Sequence, residues 1–136
     1  MPAYLNEPLH TRLFRIAFAA AVVLVAYLSF AHVEETPVAG INDKLGHAAA
    51  FLCLGFLLDF AWPRQPWGPR KLAPLLGYGL VIELVQYFLP YRSFSLWDLA
   101  ADGLGLGLYP LLLPLLRYIP GLALRRNSVT NYPSEP

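Results

Sequence analysis

The apolar positions of this chain neither alternate nor keep to one helical stripe; they run on. Four stretches stay apolar for close to the ~20 residues that a helix needs to cross hydrocarbon: Leu13 to Ala31, Leu45 to Trp62, Leu72 to Leu89 and Trp97 to Ile119. A helix satisfies its own backbone hydrogen bonds in lipid, which an open strand cannot do. The pattern therefore predicts an all-α, integral membrane four-helix bundle. It forms a single domain over residues 1–136, with helices at 13–31, 45–62, 72–89 and 97–119 and a polar tail at 120–136. Arg12 and Arg15 ahead of the first stretch, and the small residues Ser29 and Ala31 at its end, also resemble a signal peptide. Near-spanning length and three further spans favour a retained anchor helix.

Basic residues orient the bundle. Arg12 and Arg15 precede the first span, Arg64, Arg70 and Lys71 lie between the second and third, and Arg117, Arg125 and Arg126 lie at or beyond the end of the fourth. Eight of the ten Lys and Arg thus fall on one side, which predicts that both termini are cytoplasmic. Trp62 and Trp67 on the inner side, and Tyr87, Tyr91 and Trp97 on the outer, suit interfacial aromatic belts.

With that topology the polar interruptions gather at one level. "NDKLGH" opens the second helix with Asp43 and His47 one turn apart and Lys44 beside them. "VIELVQYFLP" puts Glu83 and Gln86 near the end of the third, Glu83 about 10 Å before Pro90 at ~1.5 Å per residue. Arg92 follows in the connection, and "SLWDLAADG" starts the fourth helix with Asp98 and Asp102. All eight residues are expected at the outer membrane interface. Asp98, Asp102, Gly105 and Tyr109 share one stripe of the fourth helix, whereas Gly103, Gly107, Pro110 and Pro114 share another. Gly103 and Gly107 form a Gly-x-x-x-Gly pair, through which a partner helix or a second copy could approach. The first helix, uncharged between Arg15 and His32, reads as scaffold, and Cys53, among Phe51, Leu52 and Leu54, as packing.

Composition agrees: 57% of residues are hydrophobic and 14% charged, the net charge is +1 and the mean hydropathy is +0.47. That excludes a soluble domain and gives no footing for nucleic-acid binding. No nucleotide loop, nucleophile elbow, His-Glu-x-x-His or Cys/His spacing is present, so no cofactor and no metal is expected. Each polar residue also has a structural explanation. Asn42 and Asp43, and Ser95 with Asp98, suit helix caps; Lys44 could reach headgroups; Arg92 could be a loop charge; Gln86 could be interhelical glue. Glu83, His47 and Asp102 sit too deep for capping, which leaves either structural pairs (Glu83 with Arg92, His47 with Asp102) or a functional site. Asp43, Glu83, Asp98 and Asp102 outnumber Lys44 and Arg92, so balance requires a carboxyl that keeps its proton, a protonated His47 or a bound cation.

"NDKLGHAAAFLCLGFL" and "GYGLVIELVQYFLPYRSFSLWDLAADGLGLGL", covering about residues 41–108, resemble the VanZ-like family, named for a protein linked to teicoplanin resistance. The likeness lies in Asp-Lys-x-x-His, a Glu-x-x-Gln helix, then Arg with a downstream Asp and a Gly-rich helix. It implies that Asp43, Lys44, His47, Glu83, Gln86, Arg92 and Asp98 match the family's polar positions; at Asp102 the family more often has Asn. It also implies a multi-pass protein of the cytoplasmic (inner) membrane that serves the cell envelope, with no settled activity to carry over. Two functions of different class are compatible with the residues. One is an envelope enzyme in which His47, Glu83 and Asp102 exchange protons while Asp43, Lys44, Gln86, Arg92 and Asp98 hold a membrane lipid or lipid-linked envelope precursor. The other is a non-catalytic protein whose pocket holds a headgroup, a glycopeptide or a partner helix.

Overall fold

Helix starts are written plainly into the sequence. Asn42 caps the second helix, its side chain accepting the Lys44 amide at 3.1 Å. Gly68 precedes Pro69 at the first position of the third, where the missing N–H costs nothing. The carbonyl of Ser95 accepts the Asp98 and Leu99 amides to begin the fourth. The computed structural model, described here for residues 9–32, 42–116 and 118–119, has four helices: α1 (Leu9–Phe30), α2 (Asp43–Ala61), α3 (Pro69–Tyr87) and α4 (Leu96–Leu116). They start one to four residues, and end one to three residues, before the positions expected from hydropathy. No strand occurs among the described residues.

By length and hydropathy α1, α2 and α4 are able to cross a membrane. α3 has the length, 19 residues or about 28 Å, but is not apolar enough, because it carries Arg70, Lys71, Glu83 and Gln86. Three of those four point inward: Lys71, Glu83 and Gln86 are buried. Burial in the molecule is inverted relative to a water-soluble protein. Asp59, Lys71, Glu83, Gln86, Asp98 and Asp102 are buried, while Val23, Leu24, Leu45, Val81, Leu104 and Leu111 face outward. Such a surface suits lipid rather than water. The apolar core is small, with Phe51, Leu54, Leu75 and Leu106 at its centre.

α2 and α4 form the closest helix pair, and Gly105 makes it possible. A methyl group there would overlap the Ala48 carbonyl oxygen and press on the Leu52 amide. The close approach is thus made on the acidic stripe of α4, whereas Gly107 has nothing within 4 Å and Gly103 meets only Leu76 at 3.9 Å. Cys53 is exposed rather than packed, since the 100° step per residue turns it away from Phe51 and Leu54. Trp67 folds back onto Gly55, and its ring lies 4.6 Å from that of Tyr109 at a tilt of 58°, so part of it packs into the bundle.

α1 is more than scaffold. The carbonyls at its end lack intrahelical donors; the Ala31 amide serves Tyr27, and three side chains from the end of α3 and the connection after it serve the next four. Arg92 Nη2 donates to Leu28 and Ala31 oxygens at 3.1 and 3.3 Å, Gln86 Nε2 to Ser29 oxygen at 2.9 Å, and Tyr91 hydroxyl to Phe30 oxygen at 2.9 Å. These contacts clamp the end of α1 to the end of α3 and the connection that follows it.

Candidate functional site

The end of the bundle where α1 and α3 finish and α2 and α4 begin collects all eight polar residues singled out in the sequence. His47, on the second turn of α2, is the hub. Its Nδ1 shares a 2.8 Å hydrogen bond with Asp102 Oδ1, and its Nε2 lies 3.9 Å from Glu83 Oε1. With Asp102 ionised, Nδ1 carries the proton and Nε2 is left free to accept or ligate. Gly79 gives Asp102 its room, since a side chain there would overlap Oδ2. Glu83 Oε2 accepts the Ser95 amide at 2.8 Å. In a Ser95/Asp98 capping box that amide would go to Asp98. Glu83 takes it from another helix instead, and so ties α3 to the start of α4.

The remaining residues line the approach. Lys44 Nζ is 3.5 Å from Asp98 Oδ1, and Arg92 Nη1 is 3.6 Å from Asp43 Oδ1. Lys44 and Asp43 are exposed, whereas Asp98 is buried. Of the two structural pairs that the sequence allowed, His47 with Asp102 forms and Glu83 with Arg92 does not, because Arg92 turns to Asp43 and the carbonyls of α1. Gln86 likewise spends its amide on Ser29. Both therefore have a structural duty whatever else they do.

Four buried polar atoms have no hydrogen-bond partner among the described residues: Glu83 Oε1, Asp98 Oδ1, Asp102 Oδ2 and Arg92 Nε. Unmet groups of this kind are uncommon in a finished interior and call for an explanation. Arg92 also lines a pocket of ≈ 130 Å³ between α1, α2 and the end of α3. Asp43, His47, Gln86 and Arg92 supply its polar lining, and Val25, Leu28, Ala50 and Phe51 its apolar lining. Since Asp43 and Arg92 stand at helix ends and Val25 and Ala50 a turn or more inside, the polar part is the mouth. Such a pocket suits an amphipathic ligand.

A second buried polar cluster lies at the opposite end and was missed in the sequence. Asp59 accepts from Lys71 Nζ and from the Tyr109 hydroxyl, each at 2.5 Å, and all three side chains are fully enclosed. Lys71 belongs to the first turn of α3, not to a headgroup-facing loop. The available signal was a lone acid near the end of apolar α2, with a lysine just past the loop to answer it.

Comparison with known proteins gives the chain relatives. The VanZ/LLP1 family profile matches residues 6–117. A Schizosaccharomyces pombe protein, described as uncharacterized protein C11E3.10, is 34% identical over 115 residues, which cover 82% of this chain and 68% of that protein. No solved structure matches.

Proposed function

The chain belongs to the VanZ/LLP1 family, and on that footing we propose that its clustered helix ends are a ligand site for the polar headgroup of a membrane lipid or lipid-linked envelope component. The ligand enters at the outer interface, with its headgroup at Asp43, His47 and Arg92 and its apolar part along Val25, Leu28 and Ala50. The observation that carries this reading is the amphipathic pocket itself, with Asp43, His47, Gln86 and Arg92 at one end, apolar side chains at the other, and Arg92 Nε buried without a hydrogen bond in its wall. A bound headgroup would supply the acceptor that Arg92 Nε lacks.

Lipid that co-purifies with the protein tests the proposal. Wild type should retain one class of lipid through purification, and His47→Gln and Asp43→Asn should lose it at unchanged melting temperature. The Gln amide can still donate to Asp102, and Asp43 is exposed, so neither change should unfold the bundle. Equal lipid content in wild type and both variants would refute the site. Arg92 is unsuited to this test because it also caps α1.

A catalytic version is favoured by one detail, the hydrogen bond that fixes the His47 ring with Nε2 toward Glu83. An imidazole oriented in this way is equipped for proton transfer. If it acts so, lipid extracts from cells carrying His47→Gln should lack a product, or accumulate a substrate, relative to cells carrying wild type. Identical extracts would leave binding alone.

A further inference from the structure

We propose that Asp43 and His47 at the mouth of this pocket, with Asp98 beside them, bind a divalent cation, Zn²⁺ or Mn²⁺ in ligand preference. One donor atom from each of these residues lies within 4.8 Å of the other two. No linear motif announces the set, because α2 supplies Asp43 and His47 at an i, i+4 spacing and α4 supplies Asp98 from across the bundle. One nitrogen and two carboxylate oxygens are a donor set shared by Zn²⁺ and Mn²⁺, and too nitrogen-rich for a site built for Ca²⁺ or Mg²⁺.

Acidic clusters are common without ions, and two further features point to one here. The first is a buried carboxylate oxygen beside the cluster: Glu83 Oε1 makes no hydrogen bond and lies 3.9 Å from His47 Nε2. Asp98 Oδ1 is a second buried oxygen without a hydrogen bond. The other feature is the setting of His47, whose Nδ1 is held by Asp102. A carboxylate behind the imidazole of a ligating histidine fixes its tautomer and increases its basicity toward metal.

The present neutralisers are poor substitutes for an ion. Lys44 and Arg92 reach Asp98 and Asp43 only at 3.5 and 3.6 Å, and the Lys44 side chain is mostly exposed. On binding, the cation would displace Lys44 from Asp98 and keep coordination positions open for water or for a phosphate oxygen of the headgroup. The inference rests on reading this pocket as a ligand site, and it narrows the ligand class to headgroups that carry phosphate.

The probe is the metal alone. Protein purified in detergent and stripped with EDTA is titrated with Mn²⁺, followed by loss of the free-ion spin-resonance signal, and Zn²⁺ is added in competition. One Mn²⁺ per chain is expected. Asp43→Asn and Asp98→Asn should each weaken binding by about tenfold or more, on the scale of losing a metal contact, and Lys44→Gln should tighten it by removing a competing cation. Asp43 is exposed, so its variant should fold even if Asp98→Asn does not. Absence of saturable binding, or Asp43→Asn binding Mn²⁺ as tightly as wild type, overturns the proposal. Co-purified lipid measured on the same stripped samples separates the two claims: no Mn²⁺ binding with lipid content still dependent on His47 and Asp43 removes the cation and leaves the headgroup site standing.

Discussion

On α3, Lys71 and Glu83 are both sealed from solvent, about 18 Å apart along the helix axis, yet removing their charges should have opposite consequences. Lys71 is tied to Asp59, which also takes the Tyr109 hydroxyl. Lys71→Met would leave the Asp59 carboxylate buried without its cation, at a cost of about 3–5 kcal/mol. Asp59→Asn together with Lys71→Met should recover much of the loss, because breaking a buried pair costs more than replacing both members. Glu83 has one oxygen on the Ser95 amide and one that makes no hydrogen bond, 3.9 Å from His47 Nε2. Glu83→Gln keeps the acceptor for Ser95 and should leave detergent melting within a few degrees of wild type while abolishing lipid retention. A melting loss for Glu83→Gln as large as that for Lys71→Met would make Glu83 structural. Glu83 was legible in the sequence because it interrupts an apolar helix. Lys71 was not, because beside Arg70 at a predicted loop end it looked like one more inside positive charge, and only packing shows that its side chain turns inward.

Whole elements were easier to read than their faces. The four helices follow from hydropathy, and the starts of α2 and α4 from Asn42 and Ser95, whereas α3 begins at Pro69, three residues before the start expected at Leu72. Which glycine mattered did not follow. Gly103 and Gly107 carry the recognisable four-residue spacing, but the contact between α2 and α4 is made at Gly105, next to the Ala48 carbonyl. A spacing pattern says that a helix face is slim; it does not say which neighbour occupies it. Gly105→Ala must push two backbones apart and should destabilise by roughly 1–3 kcal/mol or more, whereas Gly107→Ala, with open space around it, should leave the melting temperature unchanged. Melting curves of the two variants check this, and the reverse order would mean that α2 and α4 pack through a different face. The role of α1 was hidden for a related reason. Its contribution at the site end is backbone carbonyls, satisfied by Arg92, Gln86 and Tyr91, and backbone acceptors leave no mark in a sequence.

At the scale of the whole molecule, the arrangement puts a polar pocket at one end of the bundle and a closed ionic cluster at the other, so its orientation in the membrane decides which side the pocket serves. Arg12, Arg15, Arg64, Arg70 and Lys71 lie toward the closed end, while Lys44 and Arg92 lie at the pocket. Lys71 is paired inside the protein and adds little to the bias, but the others keep the excess on the closed side, which the positive-inside rule assigns to the cytoplasm. Two exposed loop residues report on the two ends, Ser93 beside Arg92 and Gln65 in the connection between α2 and α3. Thr36, a further expected outer position, lies outside the described residues. The natural cysteine is exposed on the bundle surface and must first be removed as Cys53→Ala. In that background Ser93→Cys should react with a membrane-impermeant maleimide on intact cells, and Gln65→Cys only after permeabilisation. The opposite labelling would turn the pocket toward the cytoplasm. A ligand drawn from the outer leaflet would then be ruled out, while the geometry around His47, and with it the cation and headgroup chemistry, would stay the same.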